Sequence, residues 1–186
     1  YVTHTKAFVD AYRNADGTYT AEFKVTVENI GGAAGQYDLW DQPSFEDDFE
    51  ILSASYTTDA LGAPANPGPT ALAGTGPWTL ADDQAIDAGV TQCYNLSVIV
   101  DINLSDPDTV GDELYTGCGS ANGLGDPEPG EGFYNESFLD RSNDGTPEEM
   151  EETCGDIEIV DLAIRKEIIT PAPYTYGQVV EFTMTI

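Results

Sequence analysis

Positive charge is nearly missing from this 186-residue chain: six Lys and Arg face 34 Asp and Glu, for a formal net charge of −28. A surface of that kind repels polyanions, which excludes nucleic acid and anionic lipid as partners. Five of the six cations (Lys6, Arg13, Lys24, Arg165 and Lys166) lie toward the two ends, leaving Arg141 alone between them. The middle therefore reads as almost purely anionic. That fits a halophile's solubility device, a surface that binds divalent cations, or a solvated extracellular surface. Long apolar runs are missing too. None approaches the ~18 residues of a membrane span, so no membrane insertion is expected. Histidine occurs once, as His4, and reads as a surface position on a strand edge rather than a catalytic base. No CxxC spacing links the three cysteines, and acid pairs abound without any sign of two carboxylates held in one cleft. An enzyme is not expected. An initiating Met and a signal peptide are also absent, as expected of a mature or excised piece of something longer.

What is present is β-pattern. Segments rich in Thr, Val, Tyr, Phe and Ile alternate with period two between Gly, Pro, Asn and Asp, and no amphipathic helix stands out. Strands are expected at 18–28, 36–40, 49–57, 92–104, 132–139, 157–168 and 179–186. In the longest, Tyr94, Leu96, Val98, Val100 and Ile102 share one face, opposite Asn95, Ser97 and Asp101. One face covers a core and the other is wet. Seven short strands separated by turn signals predict an all-β fold, an antiparallel β-sandwich of immunoglobulin-like type. Two long connections, 58–77 and the acidic, glycine-rich 105–131, are the length at which loops bind something or are pinned by a cross-link or ion.

The chain also repeats itself. AEFKVTV at 21–27 superimposes on VEFTMTI at 180–186 with an offset of 159 residues, and TKAFVDAYRNADGTYT resembles RKEIITPAPYTYGQ upstream, aligning Lys6 with Lys166 across one gap. Basic residue, strand, turn and strand recur in order. Residues 1–156 then form one complete repeat and 157–186 the opening hairpin of the next.

TVENIGGAAGQYDLWDQPSF, GTGPWTLADDQAIDAGVTQCYNLSVIVDINL, GEGFYNESFLD, TCGDIE, DLAIRK and YTYGQVVEFTMTI, taken in order over nearly the whole chain, resemble the conserved extracellular repeat domains of very large bacterial surface proteins and adhesins. The resemblance implies an immunoglobulin-like sandwich at the cell surface, acting as a structural spacer or adhesive module. Its partners would be neighbouring repeats or identical subunits, with surface glycans or proteins as further candidates. It carries no catalytic residues.

The sharpest local pattern is DRSNDGTPEEME. With Asp140 as position 1, Ser142, Asp144, Thr146, Glu148 and Glu151 fall at positions 3, 5, 7, 9 and 12, and Gly145 at 6. That is the oxygen spacing of an EF-hand-type calcium loop. Ser at position 3, Pro at 8 and the missing flanking helices depart from it, so the expectation is a helix-free calcium loop at the domain junction. The alternative is an Asp/Asn/Gly turn followed by a solvated acidic linker. Asp106, Asp108 and Asp112 form a second candidate. Glu46, Asp47 and Asp48 with Glu50, and Asp82 with Asp83, read as solvated surface.

An exported repeat implies oxidised cysteines. Three pairings are open; Cys118–Cys154 would tie the glycine-rich loop to the domain exit and leave Cys93 over. Trp40 and Trp78 read as packing residues or as a sugar platform. Asn95, Asn103 and Asn135 each begin an Asn-x-Ser triplet. In EFTMTI, Phe182, Met184 and Ile186 share a face that would bury itself in the chain's next domain or complete another molecule's sheet.

Overall fold

The computed structural model describes residues 1–60, 62, 68–102, 117–119, 126–157, 165–168, 172–173 and 176–185. Among them there is no helix. Three antiparallel sheets account for all the strands. The first is five-stranded, with spatial order β1 (Val2–Arg13), β2 (Tyr19–Asn29), β7 (Thr91–Ile102), β4 (Phe49–Thr58) and β5 (Thr70–Leu72). The second has the order β6 (Trp78–Ile86), β3 (Gly35–Pro43), β8 (Asn135–Asp140) and β9 (Glu149–Thr153). These two form the sandwich. The third sheet is the hairpin of β10 (Arg165–Ile168) and β11 (Phe182–Thr185), which pairs with neither.

Alternation builds the core as expected. Ala21, Phe23, Val25 and Val27 of β2 and Tyr94, Leu96, Val98 and Val100 of β7 are buried against Tyr37 and Leu39 of β3, Trp78 and Leu80 of β6, and Leu139 of β8. Phe133, fully buried, collects the aromatic side of this core. Its ring lies 4.9 Å from Phe49, 5.2 Å from Phe45 and 6.5 Å from Phe8, while Phe8 meets Phe23 edge-on at 5.7 Å. Such pairs add about 0.5–1.5 kcal/mol each beyond the area they bury.

Four strands were not legible from alternation: β1, which only the internal repeat marked, β5, a three-residue strand inside the connection expected at 58–77, β6 and β9. β1 turns His4 and Lys6 inward, so polar residues occupy core positions and break the apolar rhythm. β6 carries Asp83 at φ 48° where its pairing with β3 slips register, which disguises the strand as a turn. β9, EMEET, is an acidic edge strand, the type that guards a sheet against further pairing. The segment expected as one strand at 157–168 is described only at 157 and 165–168, the latter as β10.

Two glycines are fixed by close approach. In the Asn29-Ile30-Gly31-Gly32 turn, Gly31 donates its amide to Asn29 Oδ1 at 3.0 Å, and a Cβ there would fall 2.0 Å from the Tyr1 nitrogen. Gly155, just after β9, lies against the Phe8 ring, where a Cβ would come within 2.0 Å of a ring carbon. Phe23 and Phe133 hold that ring, so it cannot swing aside freely. Gly155→Ala is expected to destabilise the domain by about 1–3 kcal/mol, read as a lower urea midpoint; an unchanged midpoint would mean that the aromatic cluster is soft.

Candidate functional site

The open edges of the two sheets meet where β1 runs beside β9, and side chains close the seam. Glu149 Oε1 accepts the Thr3 hydroxyl at 2.6 Å, the His4 amide at 2.8 Å and His4 Nδ1 at 3.2 Å, while its Oε2 takes Arg141 Nη1 at 2.8 Å. Further along, the Phe8 amide donates to Thr153 Oγ1 at 3.1 Å. Edge amides that would otherwise invite another chain are thus satisfied within the domain. Arg141, the isolated central cation of the sequence, also donates to the Val2 carbonyl at 2.9 Å and lies 4.6 Å over the Tyr1 ring. His4 is not on the surface: it is 2% exposed, with Nε2 3.0 Å from Ser137 Oγ. Burial pulls its pKa below the ordinary value despite Glu149. Burial acts oppositely on Glu149, but the donors of His4 and Thr3 hold that carboxyl below its usual range.

Two residues along β1, Lys6 enters the space between the sheets. Its ammonium contacts Asp41 Oδ2 of β3, lies 3.3 Å from the Glu136 carbonyl and sits 5.5 Å over the Phe23 ring. The side chains of both Lys6 and Asp41 are fully buried. Beside them Asn135 is 0% exposed. Neither Asp41 Oδ1 nor either amide atom of Asn135 has a hydrogen-bond partner of normal geometry, although Asn135 lies close enough to help hold the Asp41 pKa down. Burial dominates both ionisable groups, lowering the Lys6 pKa and raising that of Asp41. Asn135 opened one of the Asn-x-Ser triplets; at this depth it is no glycan acceptor.

The DRSNDGTPEEME segment forms the β8–β9 hairpin connection and the first half of β9. Asp140 closes the turn: Oδ1 accepts the amides of Ser142 and Asn143 and the Ser142 hydroxyl, at 2.9, 2.8 and 3.2 Å, and Oδ2 accepts the Gly145 amide at 2.7 Å. These donors keep its carboxyl acidic despite its burial. Asp144 Oδ1 takes the Thr146 amide at 2.9 Å and Glu148 Oε2 the Arg141 amide at 2.6 Å, while Glu151 lies on β9 opposite Ser137. Among the described residues, the carboxylates that converge are instead Glu46, Asp47 and Asp48, with ligand oxygens within 4.8 Å of one another. Glu46 is not solvated surface: it is 2% exposed, and burial next to Asp47 pushes its pKa up to about 8 even though it accepts the Asp48 amide. Asp106, Asp108 and Asp112 lie outside the described residues.

Cys118 and Cys154 are disulfide-bonded, with Cα atoms 5.9 Å apart, and Cys93 is free and half-buried. Buried Glu131, which the sequence did not mark, organises the bridged loop by accepting the amides of Gly119 and Glu128 at 2.5 and 3.2 Å. Asp156 takes the Cys118 amide at 2.5 Å.

Trp78 is buried and donates its indole N–H to the Gly74 carbonyl at 3.3 Å, so it belongs to the core. Trp40 stacks on Phe138 at 6.1 Å on the outer face of the second sheet. In the separate hairpin, Phe182 is 47% exposed; Met184 pairs with Lys166, and Ile186 lies outside the described residues. Compared with known proteins, the chain matches no family model, no curated protein and no solved structure.

Proposed function

We propose that this chain is a non-enzymatic structural or adhesive repeat of a large extracellular bacterial surface protein, one immunoglobulin-like sandwich followed by the opening hairpin of the next. One observation carries the reading. In β1–β2, Thr5 pairs with Thr26, Lys6 with Val25, Ala7 with Lys24 and Phe8 with Phe23; in β10–β11, Arg165 pairs with Thr185, Lys166 with Met184, Glu167 with Thr183 and Ile168 with Phe182. Under the sequence alignment these are the same four pairs, and a slip of one residue would have destroyed the match. The disulfide supports an oxidising compartment, and the acidic surface supports solubility at high local concentration.

Deleting 158–186 is expected to leave the melting temperature of the sandwich unchanged, because β10–β11 joins neither of its sheets. The rival, a filament subunit whose terminal hairpin completes a neighbour's sheet, requires concentration-dependent association of the full chain that the deletion abolishes, which sedimentation velocity would detect. Calcium at 140–151 belongs to the proposal as a junction stiffener. Asp140 already closes the turn through its own amides, so calcium adds to a formed loop, and chelation should lower the melting temperature by a few degrees rather than unfold the domain. Identical melts with and without chelator would remove calcium and leave the repeat reading standing.

A further inference from the structure

Lys6, Asp41 and Asn135 form an unusual group for a domain core: a primary amine, a carboxyl and a carboxamide, all fully buried, from three strands of two sheets. An ion pair alone would account for the first two. It does not account for Asn135, whose buried amide atoms have no hydrogen-bond partner of normal geometry even though the side chain lies beside Asp41. Native interiors rarely leave such groups unmade, because each carries its full desolvation penalty. β8 places Asn135 on the core face, diagonal to Asp41: Asp41 pairs with Ser137 and Pro43 with Asn135. Lys6 Nζ is 3.3 Å from the carbonyl oxygen of Glu136, the next residue along the chain from Asn135. Nucleophile, proton carrier and electrophile therefore share one dry compartment walled by Phe23.

We propose that Lys6 and Asn135 join through an intramolecular amide bond, formed by the folded chain itself with Asp41 as the proton-transferring group. The step needs no external reagent. The proton shared between Lys6 and Asp41 resides on Asp41, leaving Nζ as a free amine. Its lone pair adds to Cγ of Asn135 while Asp41 hydrogen-bonds the carboxamide oxygen and stabilises the charge that develops there. Asp41 then takes a proton from the new C–N⁺ centre and delivers one to Nδ2, the Cγ–Nδ2 bond breaks, and ammonia leaves. One C–N bond forms and one breaks, nothing is oxidised or reduced, and Asp41 ends as it began. Burial favours the neutral amine and the neutral acid, the two states that the step requires. Holding the reactants in one geometry makes an otherwise slow aminolysis effectively unimolecular.

The test is the intact mass of the purified full chain after reduction of its disulfide. The expected mass is below the sequence mass by one ammonia, with a branched peptide joining the Lys6 and Asn135 segments after proteolysis. Lys6→Arg and Asn135→Ala should each restore the full sequence mass, and Asp41→Asn should leave most of the chain unlinked. Asn135→Asp changes the leaving group, so linked chains of that variant lose water instead. A wild-type mass equal to the sequence mass, in protein that melts cooperatively, overturns the proposal. So does loss of one water with a branch between Lys6 and Asp41, which would make Asp41 the acyl donor. The wild-type measurement decides even if a variant fails to fold.

Discussion

Replacing Lys6 with Met is expected to destabilise the sandwich by about 4–5 kcal/mol, because a link from Lys6 to Asn135 closes a loop of ~130 residues and constrains the unfolded chain by that much on the loop-entropy argument used for disulfides. An unlinked Lys6–Asp41 ion pair would give a deficit of about 3–5 kcal/mol by a different route, the charge abandoned on Asp41, whose side chain is fully buried. The pH dependence separates the two origins, since the linked chain has no Lys6 ammonium to lose. In the variant Asp41 has a folded pKa raised above its unfolded value of about 3.9, so it binds more protons folded than unfolded. The stability associated with that group is present below pH ~4 and lost as pH rises through the folded value. A deficit from a broken ion pair should therefore grow from acid to neutral pH, whereas a deficit from the lost link should not move. Urea midpoints at several pH values read this directly. Lys6→Met combined with Asp41→Leu should recover little; full recovery to wild-type stability would argue that no covalent link contributes.

Removing the Cys118–Cys154 bridge, by Cys→Ser at both positions or by reductant, is the second large effect. The bridge closes 36 residues, worth roughly 3–4 kcal/mol by chain entropy. For a domain of this size that amounts to a fall in melting temperature of roughly 10 °C. Glu131 and Asp156 hold amides next to Cys118, so the loop should keep part of its form and the transition should remain single. Cys93→Ser is the control and should shift little, since that thiol is free and only half-buried. Equal melting of the oxidised and reduced chains would show that the bridge restrains a segment which stays ordered without it.

Where hydrophobic alternation ran cleanly, as in β2 and β7, the sequence alone located the strand and, in β7, its buried face; which strands pair, and in what register, it did not reveal. Of the three possible cysteine pairings, the expected one, Cys118–Cys154, is the one that forms, with Cys93 left over. Legibility failed at the places where polar residues do core work. His4, Lys6, Asp41, Glu46 and Asn135 are buried, and a pattern reading assumes that charge means surface. Lys6 carried a trace of its role in the internal repeat, and Asn135 in its Asn-x-Ser triplet, but their meeting spans β1 and β8 and depends on how two sheets face each other. The acidic loop shows the converse. Its spacing suits a cation, yet Asp140 spends its oxygens on the amides of Ser142, Asn143 and Gly145, contacts that no spacing rule reveals.

The contacts Thr3 and His4 to Glu149, then Phe8 to Thr153, mean that β1 and β9 run in the same direction side by side. The chain enters β1 at one end of the sandwich and leaves β9 at the other. A pull on entry and exit would therefore load the seam in shear, with its bonds sharing the strain together instead of parting one after another like a zip. A covalent rung from Lys6 to the strand beside β9 would carry tension from β1 directly into β8 and make most of the sandwich inextensible. In a string of such units the length under force would be set by the linkers, and each folded block would behave as a rigid bead.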